Sequence, residues 1–167
     1  MTILHGIDAV FHDGKTNLLI GQSGSGKTVL MKSLVGLHTP DEGEILYDGR
    51  DLLKMDTKQR KELRKEIGML FQGSALFDSE TVLGNVMFPL KMFSDMSYEE
   101  QLERAHFCIN RVNLKNADDK YPSEISGGMQ KRVAIARAIA LNPRYLFCDE
   151  PNSGLDPKPS ILIDELL

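Results

Sequence analysis

The run Gly21-Gln22-Ser23-Gly24-Ser25-Gly26-Lys27-Thr28 constrains this chain more than any other part of it. Its glycines free the backbone to turn several N–H groups inward around an anion. An apolar stretch, Asn17 to Ile20, enters the loop as an expected short strand, and Thr28 to Leu37 leaves it with the apolar spacing of a helix. Strand, glycine loop and helix in that order is the context of a triphosphate cradle, to which the helix adds the positive end of its dipole. In such a cradle Lys27 reaches the β- and γ-phosphates and the Thr28 hydroxyl binds Mg²⁺. A glycine-rich turn that merely fits the pattern is the competing reading, and an acidic strand end further along the chain weighs against it.

That strand end is Tyr145-Leu146-Phe147-Cys148, a buried-strand pattern running into Asp149 and Glu150. Side chains alternate along a strand, so adjacent carboxylates point apart and can hold different roles. Asp149 is assigned to Mg²⁺, directly or from the second shell, and Glu150 to polarising an attacking water. Ser126-Gly127-Gly128 opens another helix, expected to reach Leu141 before Asn142-Pro143 ends it. Its first N–H groups carry no bulky side chains, which makes a second anion site. One chain does not need two phosphate cradles for one nucleotide.

The remaining pattern organises around these segments. Pro40 to Gly43 breaks the first helix, and Glu44 to Tyr47 with the Asp48-Gly49 turn reads as a hairpin. Thr57 to Glu66 is a charged, solvated helix, followed by a strand over Ile67 to Phe71. From Gly73 to about Lys120 the pattern is helical, with breaks at Pro89 and near Ser94–Ser97; Ser97 before Glu99 and Glu100 is an N-cap. Arg144 to Cys148 is a strand, and a last helix begins over Ile161 to Leu167. The expected class is α/β, a P-loop NTPase (RecA-like) core with a small antiparallel β patch and an inserted α-helical subdomain. Residues 1–72 and 126–167 form that core and 73–125 the subdomain.

The bulk numbers narrow the partners. A chain of 167 residues with 41% hydrophobic content suits one domain with a real core. The net charge of −4 with interspersed signs offers no footprint for nucleic acid. Cys108 and Cys148 have no metal-ligand spacing and suggest a reducing compartment. The first residues are too polar for a secretory signal, and no apolar run approaches the ~18–20 residues of a membrane span. Any transport role therefore calls for a separate membrane partner.

At GQSGSGKT, ISGGMQKR (Ile125–Arg132) and YLFCDEP (Tyr145–Pro151) the chain resembles the ATP-binding cassette (ABC) ATPases, the motor subunits of ABC transporters. The resemblance resolves the second cradle. It implies a homodimer that sandwiches ATP, with Ser126, Gly127, Gly128 and Met129 of one subunit facing the nucleotide on the partner's Gly21–Thr28 loop. It implies further that Gln72 is the Q-loop glutamine, acting with Lys27 and Glu150 in catalysis and with Thr28 and Asp149 at Mg²⁺. Ser153 and Asp156, in Ser153-Gly154-Leu155-Asp156, match the loop that crosses the dimer interface. The chain departs from the family in three places. Met129, followed by Gln130, stands where the signature usually has glutamine. The histidine that the family uses some thirty residues beyond the glutamate matching Glu150 is not reached. The adenine-stacking aromatic expected upstream of the strand at Ile3–Ile7 is missing, Phe11 being too late and read as core. A fragment of a longer subunit, or an abbreviated variant with impaired turnover, is the expectation.

FQGSALFDSETVLGNVMFPL, Phe71 to Leu90, resembles the version found in ATPases of bacterial Mla/Mce-type lipid transporters. That resemblance implies an integral membrane permease gripped through the region after Gln72, where exposed Leu76, Phe77 and Val82 could supply an apolar anchor; local core packing is the competing reading, of equal weight for Val82. It also implies an Mce-type lipid-binding protein in the complex and a peripheral place on the cytoplasmic face of the inner membrane. An ABC-type ATPase of chromosomes is disfavoured because no sustained heptads separate Thr28 from Ser126. One acting on ribosomes is disfavoured by the acidic balance, and a small GTPase by the lack of Asn-Lys-x-Asp. A nucleotide-binding module with little or no turnover stands as the alternative.

Overall fold

The computed structural model describes residues 3–151, and within it the chain divides into two compact units, one up to Arg60 and one from Lys61 onward. The expected helix at Ile161–Leu167 and the interface residues Ser153 and Asp156 lie outside the described residues.

The first unit is built on α1 (Lys27–Leu34) and a hairpin of β1 (Leu46–Tyr47) and β2 (Arg50–Asp51). Asp48 and Gly49, at φ 48° and 77°, supply the two positive φ values of the tight hairpin turn. The end of α1 is closed by a Schellman arrangement: Leu37 N–H donates to Lys32 O at 2.8 Å and Gly36 N–H to Ser33 O at 3.0 Å. Gly36, at φ 76°, supplies the left-handed residue, and Leu52 packs over it. Tyr47, 5% exposed, reaches from the hairpin to donate its hydroxyl to Leu34 O at 2.8 Å, which ties hairpin to helix.

Asn17–Ile20 departs from expectation. The segment forms no strand, and Leu18 and Ile20 are 77% and 87% exposed. The residues Ile3–Ile7 likewise form no strand, and Phe11 is exposed instead of core. An apolar run signals a face that favours burial, but a strand also needs a neighbour for its N–H and C=O groups. The run itself does not name that neighbour.

The boundary between the units falls inside α2 (Thr57–Lys65), a charged helix that buries only Leu63. Its start is a reciprocal capping box, Asp56 Oδ1 accepting from Gln59 N–H at 2.8 Å and Gln59 Oε1 from Asp56 N–H at 2.9 Å.

In the second unit β3 (Ile67–Leu70) and β4 (Tyr145–Cys148) pair in parallel, with Ile67 opposite Tyr145 and Leu70 opposite Cys148. Helices α3 (Val82–Phe93), α4 (Tyr98–Arg111) and α5 (Gly127–Ala138) enclose a core that includes Leu70, Val86, Leu90, Cys108, Val133 and Ile135. The backbone of α5 approaches β3 at Gly68, where a Cβ would collide with Ala138 O and come within 2.9 Å of Pro143 Cγ. Pro89 does not break α3 as expected. It sits inside the helix, and its cost of ~3 kcal/mol is offset by the burial of Val82, Val86 and Leu90 on the same helix. Ser97 caps α4 as expected, and Glu100 reaches back to complete a capping box with it. Ser126 caps α5, which ends at Ala138, short of Leu141; the guanidinium of Arg104 takes up the exiting carbonyls of Ile139 and Ala140 at 3.0 and 2.9 Å.

Both cysteines are free thiols in this core, and burial pushes Cys148 up from 9.0 to about 11. That rise lowers its thiolate fraction at pH 8 by ~100-fold. We expect native protein to alkylate far more slowly with iodoacetamide than protein in denaturant, a contrast that mass spectrometry reads directly. Gly68→Ala should destabilise the protein by about 1–3 kcal/mol in urea titration, because the obstructing atom is backbone and cannot swing aside.

Candidate functional site

The phosphate-loop residues Gly21, Gln22, Ser23, Gly24, Ser25, Gly26, Lys27 and Thr28 lie together in the first unit at the entrance of α1. Gly24 and Gly26 take φ values of 78° and 93°, which any L side chain would strain. Ser25 N–H closes the turn on Gln22 O at 3.2 Å, and a Cβ on Gly21 would come within 2.7 Å of Ser25 Oγ. Gly26 caps α1 without a side-chain hydrogen bond, and no carboxylate occupies the first turn. The helix therefore presents its first N–H groups and its positive end to an incoming anion. Lys27 folds over the loop, Nζ donating to Gly21 O at 2.8 Å and Gln22 O at 3.0 Å. An ammonium folded over the loop, uncapped N–H groups and a hydroxyl at Thr28 suit a polyphosphate carrying a hard cation.

The second cluster stands at the C-terminal ends of β3 and β4. Leu70 faces Cys148 in the ladder, so Gln72 and Glu150, each two residues further on, meet across it. Gln72 Nε2 donates to Glu150 Oε2 at 2.7 Å. The ladder continues to Asp149, whose N–H donates to Leu70 O at 2.9 Å and which is only 4% exposed. Glu150 breaks the strand by turning to φ 47°. The alternation expected of the pair holds: Asp149 is buried and Glu150 exposed. Among the described residues no group of three or more His, Cys, Asp or Glu could hold a metal by itself.

Ser126 and Gly127 are exposed at the start of α5, where a Cβ on Gly127 would meet only open space. The Ser126 hydroxyl is engaged as a cap, accepting from Met129 N–H at 3.3 Å. Met129 packs its side chain partly against the core, and Gln130 turns back to donate to Pro122 O at 2.8 Å. Gly127 therefore forms the open part of this turn, with Gly128 half-buried behind it.

Sequence reasoning missed two residues of α5. Lys131 is 5% exposed, and its Nζ donates to Glu150 O at 3.2 Å. Burial pushes its pKa down, while the carboxylates of Glu150 and Asp149 act in the opposite direction. Arg137 donates to Ser74 O and Ala75 O, both at 2.8 Å, just past Gln72. Ser74 and Ala75 are consecutive non-glycine residues at φ 62° and 48°, so the guanidinium holds a strained turn in place. The available signal was a basic residue on the apolar stripe of α5, four positions before the buried Ile135.

Beside this cluster the second unit carries an apolar hollow of about 320 Å³ lined by Met69, Phe71, Phe77, Phe88, Phe93 and Arg137. Phe77 and Phe88 pack with centroids 4.6 Å apart, and Arg137 lies 5.7 Å over Phe77. Of the three anchor residues expected to be exposed, only Phe77 is, at 41%. Val82 is fully buried and Leu76 half-buried against the core. Val82 follows the helix cap Thr81, which turns it inward.

A family model described as ABC transporter matches residues 4–153. The chain is 41% identical over 154 residues to a probable ribonucleotide transport ATP-binding protein, mkl, of Mycobacterium leprae, covering 92% of this chain and 44% of that protein. It is 42% identical over 167 residues to the methionine import ATP-binding protein MetN 2 of Enterococcus faecalis, covering 100% and 48%. Among solved structures, a dimeric post-hydrolysis state of an ATP-binding cassette bound to ADP and Pi superposes with a TM-score of 0.80 at 36% identity, covering 87% of this chain and 64% of that one. The chain spans about half the length of the curated relatives it matches.

Arg137→Ala should cost about 1.5–3 kcal/mol, the range for hydrogen bonds made by a charged donor. Hydrogen exchange should rise over residues 73–77 more than elsewhere, while Arg137→Lys, with one donor direction in place of a planar fork, should recover part of the loss.

Proposed function

The chain belongs to the ABC transporter family, and from that footing we propose that it is the ATP-binding and ATP-hydrolysing part of a transporter's motor subunit. The observation that carries this reading is the 2.7 Å bond between Gln72 and Glu150 at the ends of the parallel pair. An amide and a carboxylate converging there suit the orientation of one attacking water. Lys27 and the loop N–H groups bind the β- and γ-phosphates of ATP. Thr28, Gln72 and Asp149 are the residues that would hold Mg²⁺, which would supply charge neutralisation on the phosphate oxygens. Glu150 aligns and polarises the water, Gln72 holds that carboxylate, and positioning accounts for most of the catalysis because phosphoryl transfer asks little covalent work of the protein.

Two copies form the working unit. Ser126, Gly127 and Gly128 of one copy cap the γ-phosphate on the other, with Met129 behind them and Ser153 and Asp156 crossing between subunits. The cassette that superposes on this chain is itself described as dimeric. No helix among the described residues is long and apolar enough to cross a membrane. We read attachment to a membrane as running through a permease on the cytoplasmic face of the inner membrane, a reading supported by the aromatic hollow after Gln72. Exposed Phe77 and Phe88 are suited to receiving a short apolar segment of the partner.

The cargo is a lipid, with an Mce-type lipid-binding protein in the complex, on the strength of the Phe71–Leu90 sequence. The names of the relatives favour a second reading, a ribonucleotide or methionine as cargo. Stimulation of ATPase activity in the reconstituted full-length transporter separates them: phospholipid stimulates under the first reading, and the small molecules under the second.

In the full-length subunit, Glu150→Gln should leave Mg-ATP binding intact, favour a closed dimer on gel filtration and lower phosphate release by about 10²–10⁴-fold. An unaltered rate would remove Glu150 as the base. Lys27→Ala should weaken nucleotide binding in calorimetry. Wild-type protein that binds Mg-ATP without releasing phosphate would replace the motor with a nucleotide-binding module.

A further inference from the structure

Lys131 and Asp149 are the two charged side chains that the described residues bury below a tenth of their surface. Asp149 has a role in the reading above; Lys131 has none. A lysine in this place is expensive to desolvate, and a methionine of similar length would fill the same space between α5 and the strand ends. What a methionine could not do is donate a hydrogen bond. Lys131 Nζ donates to the carbonyl of Glu150 at 3.2 Å, across 19 residues of sequence.

That carbonyl belongs to a residue that needs holding. Glu150 is a non-glycine at φ 47°, and the left-handed region disfavours it because Cβ crowds the following carbonyl oxygen. This turn swings Glu150 off the strand and delivers its carboxylate to Gln72, at 2.7 Å. The residue is thus pinned at two points, its main chain by α5 and its side chain by Gln72, two residues past β3. Without the first pin, the backbone is free to relax toward extended values, and the carboxylate moves with it.

We propose that Lys131 is a positioning residue for the hydrolytic carboxylate: by holding the Glu150 carbonyl it locks the left-handed turn that aims Glu150 at Gln72, and it ties that aim to the Ser126–Gly128 turn of the same helix. Lys131 lies four residues after Gly127, about 6 Å along a helix. A phosphate gripped by this turn on the neighbouring copy therefore pulls on the rod that sets Glu150 in its own copy. Engagement of one nucleotide is in this way transmitted to the water-activating residue of the other. The inference rests on the functional reading above and deepens it.

The test uses the full-length subunit with Lys131→Met, which fills the space but cannot donate, and Lys131→Gln, which donates without charge. Lys131→Met should lower kcat by roughly ten- to a hundredfold, the scale of a small misplacement of a reacting group, with KM for Mg-ATP, its calorimetric affinity and Tm unchanged. Lys131→Gln should recover most of the rate. In the Glu150→Gln background Lys131→Met should have no further effect, since a residue acting through Glu150 has nothing left to position. A crystal structure of Lys131→Met should show Glu150 out of the left-handed region and its bond to Gln72 lost. Unchanged kcat, additive losses in the double variant, parallel falls in affinity and Tm, or Glu150 still in place would each overturn the proposal. Should the wild type release no phosphate, the ATPase reading fails, while the crystallographic comparison still decides what Lys131 holds.

Discussion

The parallel pairing of β3 with β4 is the constraint on which the second unit depends, because it converts two distant pieces of sequence into one edge. With Leu70 set opposite Cys148, equal steps past each strand bring residue 72 against residue 150. A slip of one residue would turn every side chain of the strand to the opposite face. Gly68 is what permits α5 to lie on this pair at backbone contact distance. The helix that begins at Ser126 is thereby held against the strands that end in the acidic pair.

Around that edge, the irregular backbone is held by buried polar side chains. Asn85, fully buried, accepts from Phe77 N–H and donates to the carbonyls of Phe77, Glu80 and Thr81, which staples the loop leading into α3. Arg104 collects the carbonyls leaving α5, Arg137 the strained turn after Gln72, and Lys131 the carbonyl of Glu150. Each answers the same problem: a chain that leaves a helix or strand inside a core has carbonyls no ladder will satisfy. Two of the four anchors, Arg137 and Lys131, hold backbone at or next to the segments assigned to nucleotide chemistry, beside Gln72 and at Glu150.

Local chemistry was legible where it is local. The Asp48-Gly49 hairpin, the Ser97 cap and the Ser126 cap all appear where short-range pattern put them, because each is decided within a few residues. Pro89 reads as a break only if α3 is judged alone; packing against its neighbours outweighs the missing N–H. Val82 reads equally as an exposed anchor or as local core packing, and the turn at Thr81 decides for the core. Asn17–Ile20 reads as a strand from its apolar run, although no partner for a ladder can be inferred from four side chains. Of the candidate site, the phosphate loop and the Asp149–Glu150 strand end were readable from composition and order. Lys131 and Arg137 were not, since the carbonyls they hold lie 19 and more than 60 residues away.

By itself the sequence determined the chemical inventory: a glycine loop before a lysine and a threonine, two carboxylates closing an apolar strand, and a small-residue helix start. These are properties of adjacent residues, set by side-chain size, backbone freedom and charge. Only the tertiary structure decided which groups meet. Register placed Gln72 on Glu150, close packing at Gly68 brought α5 to the strand ends, and burial turned a lysine into an anchor for a left-handed glutamate. Distances between residues far apart in the chain are fixed by packing and strand pairing, and no local pattern contains them.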